Sequence, residues 1–205
     1  MNVTSLKIRI FGEPGLRKKA RPVRQVNDAM RNILNQMSRI MYESSGIGLA
    51  APQVGINAAM IVVDAGSGLY KLINPKILNK QGSGIMEEGC LSVPGVCIKI
   101  KRAKKVLIKA LDDTGKPVTI EAEDLLARVF QHEIDHLKGK LIVDYASLFA
   151  KLRISRALKE LKQKAPRPAS ENSREADEER GDKLKKEGRG EKLSESETKS
   201  CKLQL

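Results

Sequence analysis

Residues 123–137, EDLLARVFQHEIDHL, decide how the rest of the chain is read. The stretch reads as a helix that ends at Gly139. On it His132 and His136 stand four residues apart, one above the other on a single face. Two imidazoles so placed can grip one metal ion, and Glu133 between them can take a proton from a water activated there. Two surface histidines on a polar helix are the plainer alternative. It is disfavoured because the 205 residues contain only these two histidines, and both fall into the pattern.

A catalytic metal also needs a third protein ligand and an open position. Downstream of His136 the ordered part offers only the acids Asp144 and Glu160, of which Asp144 stays open as a ligand. Upstream, Cys90 lies in MEEGCLSVPG, after Gly89 and before the turn-forming Pro94-Gly95. A thiolate with two neutral imidazoles leaves a divalent ion with a net charge of about +1 and suits a borderline-soft metal, Fe(II), Zn(II), Co(II) or Ni(II). Cys97, on a predicted strand, reads as a packing residue. Another segment, GIGLAAPQVG at 46–55, has small residues that let a second backbone approach, and Gln53 places a neutral amide on a loop. No Lys-Ser/Thr follows, so it is not a phosphate loop.

Around these motifs the chain mixes helix and strand. From Asn27, a helix N-cap, Met30, Ile33, Leu34, Met37, Ile40 and Met41 recur with helical period until Gly46. Strand-like runs follow at 59–64, 69–73, 96–101, 105–110 and 118–121, separated by Gly-, Pro- and Asp-rich turns. The order lacks regular strand-helix alternation. It predicts an α+β fold, with small mixed or antiparallel sheets around the central HExxH helix.

Residues 147–164 then read as a basic amphipathic helix, with six basic residues and one acid; an apolar stripe of Leu148, Leu152 and Leu158 is expected to face the domain. Residues 165–205 have no aromatic residue and no apolar period, and are expected to be a disordered charged tail carrying an exposed Cys201. That tail holds ten basic and ten acidic residues, so the whole net charge of +13 resides in residues 1–164.

A basic surface suits a polyanionic partner, and KIKRAKKVLIK at 99–109 has six basic residues and no acid. With no Trp, three Phe and three Tyr, however, the chain lacks aromatic residues interleaved for base stacking. That stretch is read as a solvated strand face, and no specific DNA partner is expected. No apolar run approaches the roughly 20 residues that span a bilayer, and the N-terminus lacks the apolar core of a secretory signal. Three unevenly placed cysteines form no disulfide framework, which points to a cytoplasmic protein.

Taken in order, GIGLAAPQ at 46–53, EGCLS at 88–92 and QHEIDH at 131–136 resemble peptide deformylase, over about residues 6–144. Any one motif is weak, whereas the three together are specific. The resemblance implies a catalytic domain over 1–146 that removes the formyl group from the initiator methionine of nascent polypeptides. It implies metal ligands Cys90, His132 and His136, natively for Fe(II), with Zn(II), Ni(II) or Co(II) able to take the site. Glu133 would be general acid/base as metal-bound hydroxide attacks the formyl carbon. Gln53 and the Leu91 backbone N–H would stabilise the oxyanion, and Ile47, Gly48 and Gly89 would contact the peptide. Met86, Leu125 and Val129 are candidates for the methionine pocket. HLKGKLIVD departs from the family's usual HLDG continuation only at Lys138, beyond the ligands. A substrate found on new chains makes the ribosome an expected partner of the 147–164 helix. A metallopeptidase reading explains HEIDH but neither EGCLS nor the Gln53 loop.

Overall fold

The helical period that begins at Asn27 is realised from its cap onward. The extended Asn27 accepts the Met30 N–H on its side chain at 3.1 Å, and α1 runs over Asp28–Glu43 with Leu34, Met37 and Met41 buried. Ser45, rather than Gly46, takes the left-handed backbone that ends the helix (φ 53°). Gly46 has another task, since a Cβ there would stand 2.8 Å from Leu91 Cδ1. A computed structural model describes residues 6–165 and Leu205, and the expectation for most of the tail, including Cys201, lies outside the described residues.

Among the described residues seven strands follow α1: β1 (Gly48–Ala50), β2 (Met60–Val63), β3 (Tyr70–Gln81), β4 (Gly84–Glu88), β5 (Ile98–Arg102), β6 (Lys105–Leu111) and β7 (Pro117–Glu123). They form a five-stranded antiparallel sheet in the order β1-β2-β3-β6-β7 and a separate β4-β5 hairpin. Helix α2 (Asp124–Leu137) carries QHEIDH and packs against β1, β2 and β7. The α+β class and the antiparallel pairing agree with the sequence reading. Two strands were not anticipated, β1 inside the small-residue segment and β4 before Cys90. The strand expected over 69–73 continues to Gln81, past Pro75, through register shifts.

Apolar burial places α2. Ala127, Val129, Phe130 and Ile134 share a core with Ile61, Val63, Leu72, Val106 and Ile108 of the sheet. Phe130 meets the Tyr70 ring edge-on at 5.5 Å. Each large side chain so buried contributes about 1.5–3 kcal/mol, so the helix bearing both histidines is held rigidly. A third helix, α3 (Leu148–Lys164), is capped by Ser147, whose side chain accepts the Ala150 N–H. Its inward face is Ala150, Ile154, Ala157, Leu158 and Leu161 against a core with Leu16, Ile98 and Ile142. The expected stripe is therefore corrected: Leu158 packs, but Leu148 and Leu152 are 79% and 73% exposed, because the helix docks on the face that repeats from Ala150 to Leu161.

Candidate metal centre

Two elements meet at the three expected ligands. Cys90 follows β4 on a tight loop, while His132 and His136 project from successive turns of α2. One donor atom from each lies within 4.8 Å of the others, and all three residues are buried. Cys90 Sγ is 3.3 Å from His136 Nε2, which is 3.2 Å from His132 Nε2. Asp144, the alternative ligand, is engaged elsewhere: its carboxylate accepts from Arg17 Nη1 at 2.6 Å and from the Leu141 N–H at 2.8 Å.

The protonation preferences fit a cation at this point. Burial, then the charges of Glu133 and Glu88, push the Cys90 thiol up to about 12, against the pull of the Ser92 and Val93 N–H groups. A thiolate here therefore needs a positive partner, which a divalent ion supplies. Burial, and then neighbouring His132, hold His136 well below the usual imidazole range, so the ring stays neutral and one nitrogen lone pair is free to ligate. Burial also lowers His132, opposed by its hydrogen bond to Glu88. A sulfur and two nitrogens so arranged fit the donor set of a catalytic metal with an open position.

Glu133 is fully buried, and neither carboxylate oxygen has a hydrogen-bond partner among the described residues. Burial is the main reason its carboxyl is pushed well above the ordinary range. The backbone of β1 makes room for it, because a Cβ at Gly48 would collide with Glu133 Oε1 and come within 2.8 Å of Val129 Cγ1. Gln53 is also fully buried. Its carbonyl oxygen accepts the Ala50 N–H at 2.7 Å, which orients the amide nitrogen toward Cys90 Sγ at 3.6 Å and Ser92 Oγ at 3.3 Å. Ile47, half-buried, precedes β1, and Gly89 and Leu91 flank Cys90, so the structure brings all nine expected residues to one locality. Leu205 lies there too: its N–H donates to the Gly89 carbonyl at 3.4 Å, and the Leu91 N–H donates to its carbonyl oxygen at 3.1 Å. Of the candidates for the methionine pocket, Val129 is buried and Leu125 packs beside it, while Met86 on β4 is exposed.

Sequence reasoning missed the charges behind the site. Glu88, fully buried, accepts from Arg102 Nε at 2.6 Å and Nη2 at 2.9 Å, from Arg128 Nη1 at 2.6 Å, and from His132 Nδ1 at 3.1 Å. Burial alone would raise its carboxyl, yet the hydrogen bonds from His132 and Arg102 and the Arg102 charge bring it down to about 2. An anionic Glu88 holds the proton of His132 on Nδ1 and leaves Nε2 free to ligate. Arg102 also donates to Asp135 at 2.8 Å and lies over the Tyr145 ring. It belongs to the stretch read as a solvated face, and that reading is corrected in part. Lys99 and Lys101 are exposed, but Ile98, Ile100 and Arg102 alternate inward, a period of two that the sequence already carried.

Comparison with known proteins agrees with this geometry. The sequence profile of the polypeptide deformylase family matches residues 5–151. A peptide deformylase of Halothermothrix orenii is 52% identical over 141 residues, which are 68% of this chain and 92% of the relative. The crystal structure of a peptide deformylase from Legionella pneumophila superposes with a TM-score of 0.72 at 41% identity, covering 78% of this chain and 99% of that one. A peptide deformylase from Synechococcus elongatus in complex with actinonin gives 0.71 at 40% identity, covering 78% and 88%. The profile spans well over half of the chain and the relatives are matched over most of their length, so the chain belongs to the polypeptide deformylase family.

Proposed function

We propose that the chain hydrolyses the N-formyl group of formyl-Met polypeptides, with Cys90, His132 and His136 holding one divalent ion. The observation that carries this reading is Glu133: a fully buried carboxylate without a hydrogen-bond partner among the described residues, beside a buried Cys/His/His set. A bound ion would supply Lewis acidity for the formyl carbonyl and acidify a water. Fe(II) is proposed as the native ion on the family resemblance, with Zn(II), Ni(II) and Co(II) as substitutes that the one-sulfur, two-nitrogen donor set equally suits.

The chain's own groups do the rest. Glu133 takes a proton from the attacking water as its oxygen bonds to the formyl carbon. The Gln53 amide and the Leu91 N–H hold the negative charge that develops on the formyl oxygen, each such donor being worth about 3–4 kcal/mol. Glu133 then gives the proton to the amine nitrogen as the C–N bond breaks, yielding formate and a free amino terminus. Ile47, Gly48 and Gly89 line the path of the peptide backbone. The pairing of Leu205 with Gly89 and Leu91 supports this, since the Gly89 carbonyl and the Leu91 N–H there bond the backbone of a residue distant in sequence. The substrate is proposed to be the nascent chain, reached through α3, whose Lys151, Arg153, Arg156, Lys159, Lys162 and Lys164 are all exposed. Formate release from a formyl-Met peptide, measured anaerobically with and without chelator, tests the reading. Turnover that chelator abolishes and added Fe(II) restores is expected, and turnover indifferent to chelator would overturn it.

A further inference from the structure

Leu205 stands in the sequence far beyond the residues matched by the family profile, yet it is fully buried. Its two backbone bonds, to Gly89 and from Leu91, straddle Cys90, so it lies along the ligand loop as an added strand does. Its side chain joins the apolar cluster of Val129, Phe130 and Ile134, against which Ile47 and Leu125 pack. These are the elements a formyl-Met peptide requires: a backbone acceptor, a backbone donor and a pocket for an apolar side chain. Leucine and methionine exchange with little change of volume.

We propose that Leu205 is an internal ligand of the peptide groove, a self-occupant that formyl-peptide must displace; the proposal rests on the deformylase reading of the same site. The occupied form cannot turn over, because Leu205 takes the Leu91 N–H that the oxyanion needs. Because Leu205 is on the same chain, it competes intramolecularly, and its occupancy does not fall on dilution of the protein. The apparent affinity for substrate is then reduced by the fraction of molecules that are open, while turnover of the bound substrate is untouched.

The test uses the full-length, metal-loaded chain and its Leu205→Asp and Leu205→Ala variants. In steady-state formate release, KM should fall about five- to tenfold in Leu205→Asp, and by less in Leu205→Ala, with kcat unchanged in both. A fluorescein-labelled KLQL peptide, the sequence of residues 202–205, should bind Leu205→Asp more tightly than the unsubstituted chain by fluorescence anisotropy. Unchanged KM in both variants overturns the proposal. So does a fall in kcat at fixed KM, which marks a structural role instead. If no form releases formate, the deformylase reading fails; the anisotropy arm still decides self-occupancy, and equal peptide binding by variant and unsubstituted chain overturns it.

Discussion

Two buried glutamates beside the same histidine pair illustrate opposite uses of a carboxylate. Glu88 has four hydrogen bonds from two arginines and His132, and is held anionic with its carboxyl down at about 2. Glu133 has no such partner among the described residues, and burial pushes its carboxyl well up. Glu88→Gln removes the charge that pairs with Arg102 and Arg128 and turns His132. Breaking one side of a buried pair costs about 3–5 kcal/mol, and losing the partner that orients a ligating histidine costs about 10- to 100-fold in metal affinity. Denaturant unfolding and metal titration should show both losses together; a variant with normal affinity would mean that Glu88 does not set the His132 tautomer. Glu133→Gln severs no bond. It should keep its metal and its stability while kcat falls about 10²- to 10⁴-fold, the usual weight of a general acid/base. Metal content by mass spectrometry beside formate release separates the two variants, and loss of metal from Glu133→Gln would make it a ligand instead of a proton carrier.

Helices were legible from the sequence because their period survives on one chain segment: Asn27 caps α1 as read, and α3 lies within the expected 147–164. What escaped needed a second segment to exist. β1 is three small residues that become a strand only through pairing with β2, and β4 is one half of a hairpin with β5. Asn74 and Pro75 read as the end of β3. In the fold the Asn74 side chain instead bonds both the N–H and the carbonyl of Val23, and the strand resumes at Lys76 after the register shift. The Glu88–Arg102 pair was invisible for the same reason, since a charge is buried only where a partner from elsewhere meets it. The two proposed histidine ligands, by contrast, were legible because histidines four apart define their own geometry, whereas the choice of Cys90 over Asp144 needed the resemblance. α3 keeps its apolar residues Ala150, Ile154 and Leu161 inward and its six basic residues in solvent, with Phe149 also 81% exposed. Reversing Arg153, Arg156 and Lys159 to Glu should abolish co-sedimentation with ribosomes at low salt yet leave turnover of free formyl-peptide intact. If about six phosphate contacts form, unsubstituted binding should weaken about 10³- to 10⁵-fold between about 50 and 200 mM salt. Binding that ignores the reversal would exclude the helix as the anchor.

Across the whole molecule, the proposed ion would add a tie between the β4-β5 hairpin and α2 to the one that Glu88 with Arg128 and Arg102 with Asp135 already make. Cys90 comes from the loop after the β4-β5 hairpin's first strand, whose surroundings belong to the core under α3, whereas His132 and His136 ride on α2 over the five-stranded sheet. Without a cation the Cys90 thiol, pushed up to about 12, keeps its proton, so no charge pairs across this junction at the sulfur. Anything that binds the folded arrangement and not the unfolded chain adds to stability in proportion to its affinity, about 4 kcal/mol at 1,000 times Kd. For a chain of this size each kcal/mol moves Tm by about 2–4 °C, so metal removal should lower Tm on the order of 10 °C. Anaerobic calorimetry before and after chelation measures this, and Fe(II), Zn(II), Ni(II) or Co(II) added back should restore it. Cys90→Ser should melt near the stripped temperature and gain little from added metal, because the weaker oxygen donor lowers the affinity for the ion. Asp144→Asn should respond to metal as the unsubstituted chain does, its carboxylate being occupied by Arg17. Equal melting with and without metal in the unsubstituted chain would show that packing and the Glu88 and Arg102 ion pairs suffice to lock the hairpin to α2, and the ion would then have no structural share in the fold.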